Sequence, residues 1–415
     1  MSSTAENPTS EIVLPNYIQA HLNRISAEND FVDSSVDVRQ GSQIGDGFAS
    51  NIWSVTIAER NSDKKLHLVC KVALNAESNE DGKKSKLIFK READFYTKLM
   101  PTFVKFQAKK GLSDVDQFLA YPKCYGTTID DENGHYVIIL EDLRPQGFKL
   151  WPKIKTSPIE NARLAMREIG KFHGISIAMK VQKPEHFAEF KSFTDIYKIL
   201  FNSKNVEAYF TRSYDYALKS FKRDDFKAIM SDIRKNFRKY FDECLDEKSA
   251  SYFGVICHGD FWNNNILYTF NENGAAEDIR LLDWQVIRHG SPAIDIAANI
   301  FTSTDKSLRD DEYENLLQLY YNTLSKTVKL LGSNPDELFT FENLQSELKR
   351  CGIYALLLSP LSIQVSQADA SQLAERGDKS GLVGGLTETG QLEYERRLNG
   401  VFEDVTRLGY INKIH

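Results

Sequence analysis

The sequence predicts an α+β fold in two parts: a small β-rich part with one main helix, then a larger, mostly helical part. Three observations carry this. Strand-like runs rich in Leu, Val and Ile crowd into the residues before about 140. Beyond them, apolar residues recur at helical spacing. A compact strand-loop-strand insert, residues 253–285, interrupts that helical texture. A chain of 415 residues suits two domains or one two-part unit. The boundaries read as a leader with a short helix at 1–35, a β-rich part at 36–142 and a helical part at 143–415.

Taken in order, residues 1 to about 10 form a polar leader, and Ile12, Leu14, Tyr17, Ile18 and Leu22 give an amphipathic helix within 11–30. Three strands follow: one leading into Ile44, one at Ile52–Ala58 with Trp53, Val55 and Ile57 alternating, and one at Leu66–Leu74. A charged helix runs from about Lys84 to Leu99 and is expected to stop before Pro101. Two more strands fall at Phe118–Gly126 and His135–Leu140, the second after the Asn133-Gly134 turn. Ser157-Pro158-Ile159-Glu160 fits a capping box with proline at the first helical position, and Ala162, Ala165, Met166, Ile169 and Phe172 form one apolar face behind it. Further helices are expected at about 190–246, 309–331, 336–359 and 390–408, with a glycine-rich loop in 365–390.

Composition narrows the classes. Hydrophobic residues make up 41% and charged residues 27%, which is globular. The 52 basic and 58 acidic residues give a net charge of −6, and no long basic run points to nucleic acid. Apolar stretches are far shorter than the roughly 20 residues of a membrane span. The first residues show neither the charged nor the apolar region of a secretory signal. The cysteines Cys70, Cys124, Cys244, Cys257 and Cys351 are scattered, without CxxC or a Cys/His ligand cluster. They read as reduced thiols of a cytoplasmic protein.

The stretch Val255-Ile256-Cys257-His258-Gly259-Asp260-Phe261-Trp262-Asn263-Asn264-Asn265-Ile266-Leu267 is the most informative. A buried strand enters a polar loop of pattern H-G-D-x-x-x-x-N and leaves as another strand. Phosphoryl transfer to a hydroxyl needs a carboxylate near the attacking oxygen, here Asp260. Five residues on, the amide oxygen of Asn265 can hold a metal ion on the same loop. A solvated Asn/Asp loop is the bland alternative, but by chance the pattern arises in only roughly a few per thousand chains of this length. In Ile279-Arg280-Leu281-Leu282-Asp283-Trp284-Gln285, Asp283 ends an apolar strand 23 positions after Asp260. A carboxylate there suits a second Mg²⁺ ligand.

Together these motifs resemble the aminoglycoside phosphotransferase and choline kinase superfamily, which shares the protein-kinase-like fold. His258-Gly259-Asp260-Phe261-Trp262-Asn263-Asn264-Asn265, Asp283-Trp284-Gln285, Ser291-Pro292-Ala293-Ile294-Asp295 and Leu140-Glu141-Asp142-Leu143 with Gly147-Phe148 resemble one branch, the ecdysteroid kinase-like family, over about residues 40 to 410. Six residues separate Gln285 from Pro292, too few for a peptide-docking activation segment, so a protein substrate is not expected.

The resemblance implies a two-lobed fold whose small lobe binds ATP. Lys71, mid-strand in Leu68-Val69-Cys70-Lys71-Val72-Ala73, is the lysine for the α- and β-phosphates, and Glu92 is the helical partner the family pattern suggests. Read alone, Lys71 also fits a solvent-facing strand position, and Asp94 and nearby lysines offer Glu92 other pairings. Gly45 and Gly47 permit close backbone approach in a phosphate-covering turn, and Ser50 is placed to donate to a phosphate oxygen. The backbone of Leu140-Glu141-Asp142-Leu143 would meet the adenine edge, while Glu141 or Asp142 could equally cap the next turn. Asp295 is expected to brace the catalytic loop, and His258 to fix it through a backbone hydrogen bond. The implied cofactors are ATP and Mg²⁺, and the implied acceptor is an ecdysteroid or related sterol-like alcohol. A choline, ethanolamine or xenobiotic-alcohol kinase is the alternative within the class, and a pseudokinase binding module the alternative outside it. An apolar acceptor pocket would draw on the helical part near Trp151–Phe210 and 350–390. No nucleic-acid or membrane partner is expected, and the sequence leaves oligomeric state open.

Overall fold

The computed structural model describes residues 14–41, 50–73, 80–191, 193, 196–201, 204–246, 252–368 and 386–411. Gly45 and Gly47 lie outside the described residues, as does most of the loop expected in 365–390. The fold is α+β, and its contacts divide the chain into two compact units: Met1–Lys86 with Pro122–Pro145, and Leu87–Tyr121 with Gln146–His415.

Among its described residues, the first unit holds a five-stranded antiparallel sheet with a helix packed on it. The helix is α1 (Asn16–Glu28), and the strands are β1 (Ser34–Gln40), β2 (Ser50–Glu59), β3 (Lys65–Ala73), β4 (Cys124–Asp130) and β5 (His135–Glu141), in the order β1-β2-β3-β5-β4. Ile18, Leu22 and Ile25 fall on one face of α1 and pack with Val55, Ile57, Leu68, Cys70, Val72, Val137 and Ile139. Alternation along β3 buries Leu68, Cys70 and Val72 on that face and turns Lys71 to the other.

Two expectations fail here for clear reasons. Only the end of the expected Phe118–Gly126 strand joins the sheet, as β4. Phe118 N–H bonds to Gln107 Oε1 at 2.8 Å, and the Ala120 carbonyl accepts from Leu281 N–H at 2.9 Å, so neither serves a ladder of the five-stranded sheet. The charged helix also does not stop before Pro101. α2 (Glu80–Asp94) runs through a π-helical turn, Phe95–Leu99, into α3 (Met100–Lys109). Met100 N–H bonds to the Phe95 carbonyl five residues back, and Pro101 sits in the first turn of the new register, where it is tolerated.

The second unit is built on α4 (Ile159–Gln182), which pairs with α10 (Lys306–Leu330); a Cβ at Gly174 would come within 2.8 Å of Thr327 Cβ. Among the described residues α4 is followed by α5 (Pro184–Lys191), α6 (Ile196–Leu200), α7 (Lys204–Ser220) and α8 (Asp224–Cys244). The strand-loop-strand insert is present. β7 (Val255–Cys257) pairs with β10 (Arg288–Gly290), and β8 (Ile266–Phe270) pairs with β6 (Lys149–Leu150) and β9 (Ala276–Leu281). The wholly buried α9 (Ala293–Ser303) precedes α10. The last described helices are α11 (Pro335–Leu338), α12 (Phe341–Cys351), α13 (Tyr354–Gln367) and α14 (Glu388–Arg407). A buried ion pair joins Arg309 of α10 to Asp404 of α14, with Nε and Oδ2 2.7 Å apart. All five cysteines are thiols, and no described helix is long and apolar enough to cross a membrane.

The capping box expected at Ser157 is not formed. Pro158 takes the N-cap position, and the Ser157 hydroxyl donates to Asn263 Oδ1 at 3.0 Å. The serine is used to hold a distant loop rather than its own helix.

Candidate active site

The polar loop begins where β7, buried on both faces, ends at Cys257. A turn this sharp needs a left-handed residue, and Gly259 supplies it with φ +86°. Any side chain there would also collide, since a Cβ would lie 2.4 Å from the Val286 carbonyl oxygen. The two backbone N–H groups this turn exposes are both satisfied by the buried carboxylate of Asp295. Oδ2 accepts from His258 N–H at 2.7 Å, and Oδ1 from Gly259 N–H at 2.9 Å. Behind Asp295 stands His173 of α4, with Nε2 3.1 Å from Oδ2 and Nδ1 2.8 Å from the Tyr320 hydroxyl. His173, Asp295 and the Cys257 thiol form a buried trio in which the imidazole and carboxylate serve each other and the loop, while the thiol reaches the Ser291 carbonyl at 3.3 Å.

His258 itself ties the two motifs together. Its Nε2 donates to the Leu282 carbonyl at 2.9 Å, one residue before Asp283, while Nδ1 accepts from Asp260 N–H at 3.3 Å. Burial holds its pKa below the ordinary histidine value, so the ring is a neutral brace rather than a base. Trp284 is fully buried, stacked on Phe95 of the π-turn at 3.9 Å and 4.3 Å from the His258 ring. On the far side of the loop, Asn263 accepts from Ser157 and Tyr268, and its N–H donates to Ser303 Oγ at 3.0 Å. Most of the loop's fixed points thus lie outside it, just past β9, in α9 and in the approach to α4.

Asp260 is partly exposed at the centre of this frame. The amide of Asn265 donates to its Oδ2 at 2.8 Å and to its backbone carbonyl at 2.9 Å. Asp283 has an αL backbone, φ 63° and ψ 59°, uncommon outside glycine and tolerated best by aspartate and asparagine. Gln285 Nε2 bonds to Asp283 Oδ2 at 2.9 Å. Burial, then the neighbouring Asp283 carboxylate, push the Asp260 pKa up to about 7, against hydrogen bonds from Asn265 and Trp262. The donors are hard oxygens, the Asn265 amide oxygen and the Asp283 carboxylate, which is the chemistry Mg²⁺ prefers. A cation there would also relieve the crowding of negative charge. The residues present fit such an ion.

The remaining expected residues belong to other surroundings. Lys71 is on the central strand of the first unit, with Ile52 and Ile138 as neighbours across the ladders. Glu92 is buried in α2, in the stretch that clusters with the second unit. Ser50 is the first residue of β2. Glu141 ends β5, its N–H bonded to the Lys123 carbonyl at 2.8 Å, and Leu143 is buried nearby. Asp142 is the residue that caps the turn, accepting from the Arg144 N–H at 3.0 Å and pairing with its guanidinium at 2.7 Å.

A model of the ecdysteroid kinase-like family matches residues 44–333. The chain belongs to the ecdysteroid kinase-like family. Its fold is therefore of the protein-kinase-like type. The Caenorhabditis elegans protein named uncharacterized oxidoreductase dhs-27 is 23% identical over 314 residues, which are 68% of this chain. The chain spans about a third of that protein, 34% of its length.

Some residues of this ecdysteroid kinase-like site carry no readable sequence signal. Ser303 and Tyr320 lie in helices where nothing sets them apart. Ser157 is readable only as a helix cap, because the loop it serves is 106 residues away.

Proposed function

We propose that this ecdysteroid kinase-like protein transfers the γ-phosphate of ATP to a hydroxyl of an ecdysteroid or related sterol-like alcohol. The observation that supports it best is Asp260: a carboxylate partly open to solvent, on a loop braced at every turn, beside two oxygen ligands suited to Mg²⁺. Asp260 orients the acceptor hydroxyl and takes its proton. The acceptor oxygen forms the new bond to phosphorus, the bond from the γ-phosphorus to the β–γ bridging oxygen breaks, and ADP leaves with that electron pair. Asn265 and Asp283 would hold Mg²⁺, which would supply charge neutralisation to the phosphate oxygens. Lys71 would take the α- and β-phosphates, with Glu92 the partner the family pattern suggests. Gly45, Gly47 and Ser50 cover the phosphates, and the backbone at Glu141 and Leu143 meets the adenine. Most of the acceleration would come from positioning and electrostatics. The scattered thiols accord with a reducing compartment, and we place the protein in the cytoplasm.

The test is a mass-spectrometric transfer assay. Protein, Mg²⁺ and ATP are incubated with separate pools of ecdysteroids, choline-type amino alcohols and xenobiotic alcohols, with Asp260→Asn as control. A phosphate adduct in the ecdysteroid pool, lost in the variant, is the expected result. An adduct confined to another pool would overturn the substrate class. Mg-ATP binding without any adduct would overturn the sterol-like acceptor, and failure to bind Mg-ATP would overturn the kinase.

A further inference from the structure

A tyrosine outside the motifs reaches the catalytic loop. The Tyr197 hydroxyl, on the short helix α6, donates to the Gly259 carbonyl at 3.3 Å. That carbonyl belongs to the peptide joining Gly259 to Asp260. The N–H of the same peptide points to His258 Nδ1 at 3.3 Å. The peptide plane that aims the Asp260 side chain is therefore gripped at both edges, by an imidazole on one side and a phenol on the other.

The two grips differ in kind. His258 is buried and fixed to Leu282 within the loop's own frame. Tyr197 is partly exposed and arrives from a separate helix, bedded on aromatic rings. Its ring lies nearly parallel to that of Phe241, 6.1 Å away at 21°, and 6.0 Å from that of Phe201. Phe210 packs on both of these rings, and Tyr354 meets Phe241 edge-on at 5.8 Å. Tyr354 is fully buried, with its hydroxyl beside that of Tyr197. The apolar bed supports a flat, weakly polar molecule better than a quaternary ammonium, which calls for a cage with carboxylates.

We infer that Tyr197 is a positioning residue on the acceptor side: its hydroxyl sets the peptide that aims Asp260, and its partly exposed ring supports the carbon skeleton of an apolar, ring-bearing alcohol. The inference rests on the phosphotransferase reading above and deepens it. Seating such an acceptor on α6 and aligning the carboxylate then become one event, linked through a single O–H.

Two variants of the full chain test it, Tyr197→Phe and Tyr197→Leu. The first readout needs no substrate. Amide hydrogen exchange over residues 258–265 should speed up about fivefold or more in both variants, while α10 and α14 keep their protection. Unchanged exchange overturns the hold on the loop. The second readout uses the ecdysteroid pool with Mg-ATP. Tyr197→Phe should lower kcat about tenfold with acceptor KM nearly unchanged, and Tyr197→Leu should also raise acceptor KM about fivefold or more. A parallel fall in both variants without that split, or full kcat in Tyr197→Phe, overturns the role. If wild type modifies only choline-type alcohols, the ring-bearing acceptor is wrong. If it modifies none, the phosphotransferase reading fails while hydrogen exchange still decides the tyrosine's hold on Asp260.

Discussion

Replacing Asp260 by Asn should make the protein more stable, and increasingly so as pH rises. The fold holds this carboxyl at a pKa of about 7, against its ordinary 3.8, because burial and the Asp283 carboxylate disfavour its charged form. Below about pH 4 the group is neutral in the folded and unfolded chains alike and contributes nothing. Between pH 4 and 7 the unfolded chain releases the proton while the folded one retains it, so folding grows less favourable. Above 7 the penalty is complete. At about 1.36 kcal/mol per tenfold change in ionisation, it amounts to about 4 kcal/mol. Asp260 is partly exposed, and screening leaves about 2–4 kcal/mol. Asn has nearly the same shape and never ionises, so it escapes the whole sum. Unfolding entropy of about 2.1 cal/mol/K per residue gives roughly 0.9 kcal/mol/K for this chain, so the Tm gap at pH 8 should be about 2–5 °C. The assay is thermal denaturation of wild type and variant from pH 5 to 8 in a chelating buffer, repeated with excess Mg²⁺. The gap should widen with pH and shrink with Mg²⁺, because a cation on Asn265 and Asp283 offsets the repelling charge. A gap independent of pH, or a variant less stable at pH 8, would refute the reasoning.

Other perturbations follow from the frame around the loop. Asp295→Asn turns an amide N–H₂ toward groups that already donate, His258 N–H, Gly259 N–H and His173. It should reduce stability by about 2–4 kcal/mol and turnover by about 10², measured by urea denaturation and the transfer assay. Gly259→Ala places a Cβ 2.4 Å from the Val286 carbonyl oxygen at a φ of +86°, and should lose about 2 kcal/mol or more in the same denaturation experiment. Arg309→Met removes the buried partner of Asp404, which keeps Lys306 at 3.4 Å and Arg407 at 3.2 Å, so the loss should be about 3 kcal/mol. The double variant Arg309→Met with Asp404→Leu should recover part of that loss in a double-mutant cycle.

Local pattern made much of the molecule legible. The alternation of Trp53, Val55 and Ile57 marks β2, and apolar spacing marks α1 and α4, because one buried face imposes a period that a short window reveals. The loop at His258, Gly259, Asp260, Asn265 and Asp283 is legible as one cluster for a different reason, namely that a motif of fixed residue types and spacing stands out from any periodic pattern, and the structure brings these residues together. Illegible features depend on partners far along the chain. Ser157 looks like a cap because caps are read from three or four neighbours, whereas its partner is Asn263. Pro101 looks like a stop because the π-turn before it is set by tertiary packing, Phe95 against Trp284, and not by any local preference. Phe118 looks like strand because it is apolar, yet its ring packs 5.0 Å from that of Phe172 in the helical unit. Tyr197 stands in an aromatic-rich stretch that sequence ties only loosely to an acceptor pocket, and nothing local tells which of its rings reaches the loop.

More of the clamps on the loop come later in the chain than earlier, Ser157 and Tyr197 being exceptions. Asp295, Ser303 and Tyr320 leave the ribosome after Asn265, and at about 5–20 residues per second the interval to Tyr320 is roughly 3–11 s. During that time the nascent chain already bears Asp260, Asn265 and Asp283, but without the later clamps that complete their frame. Synthesis order therefore leaves these side chains incompletely oriented until α9 and α10 close around the turn. A chain cut just after Asp283 would hold the motif residues without most of the frame that orients them.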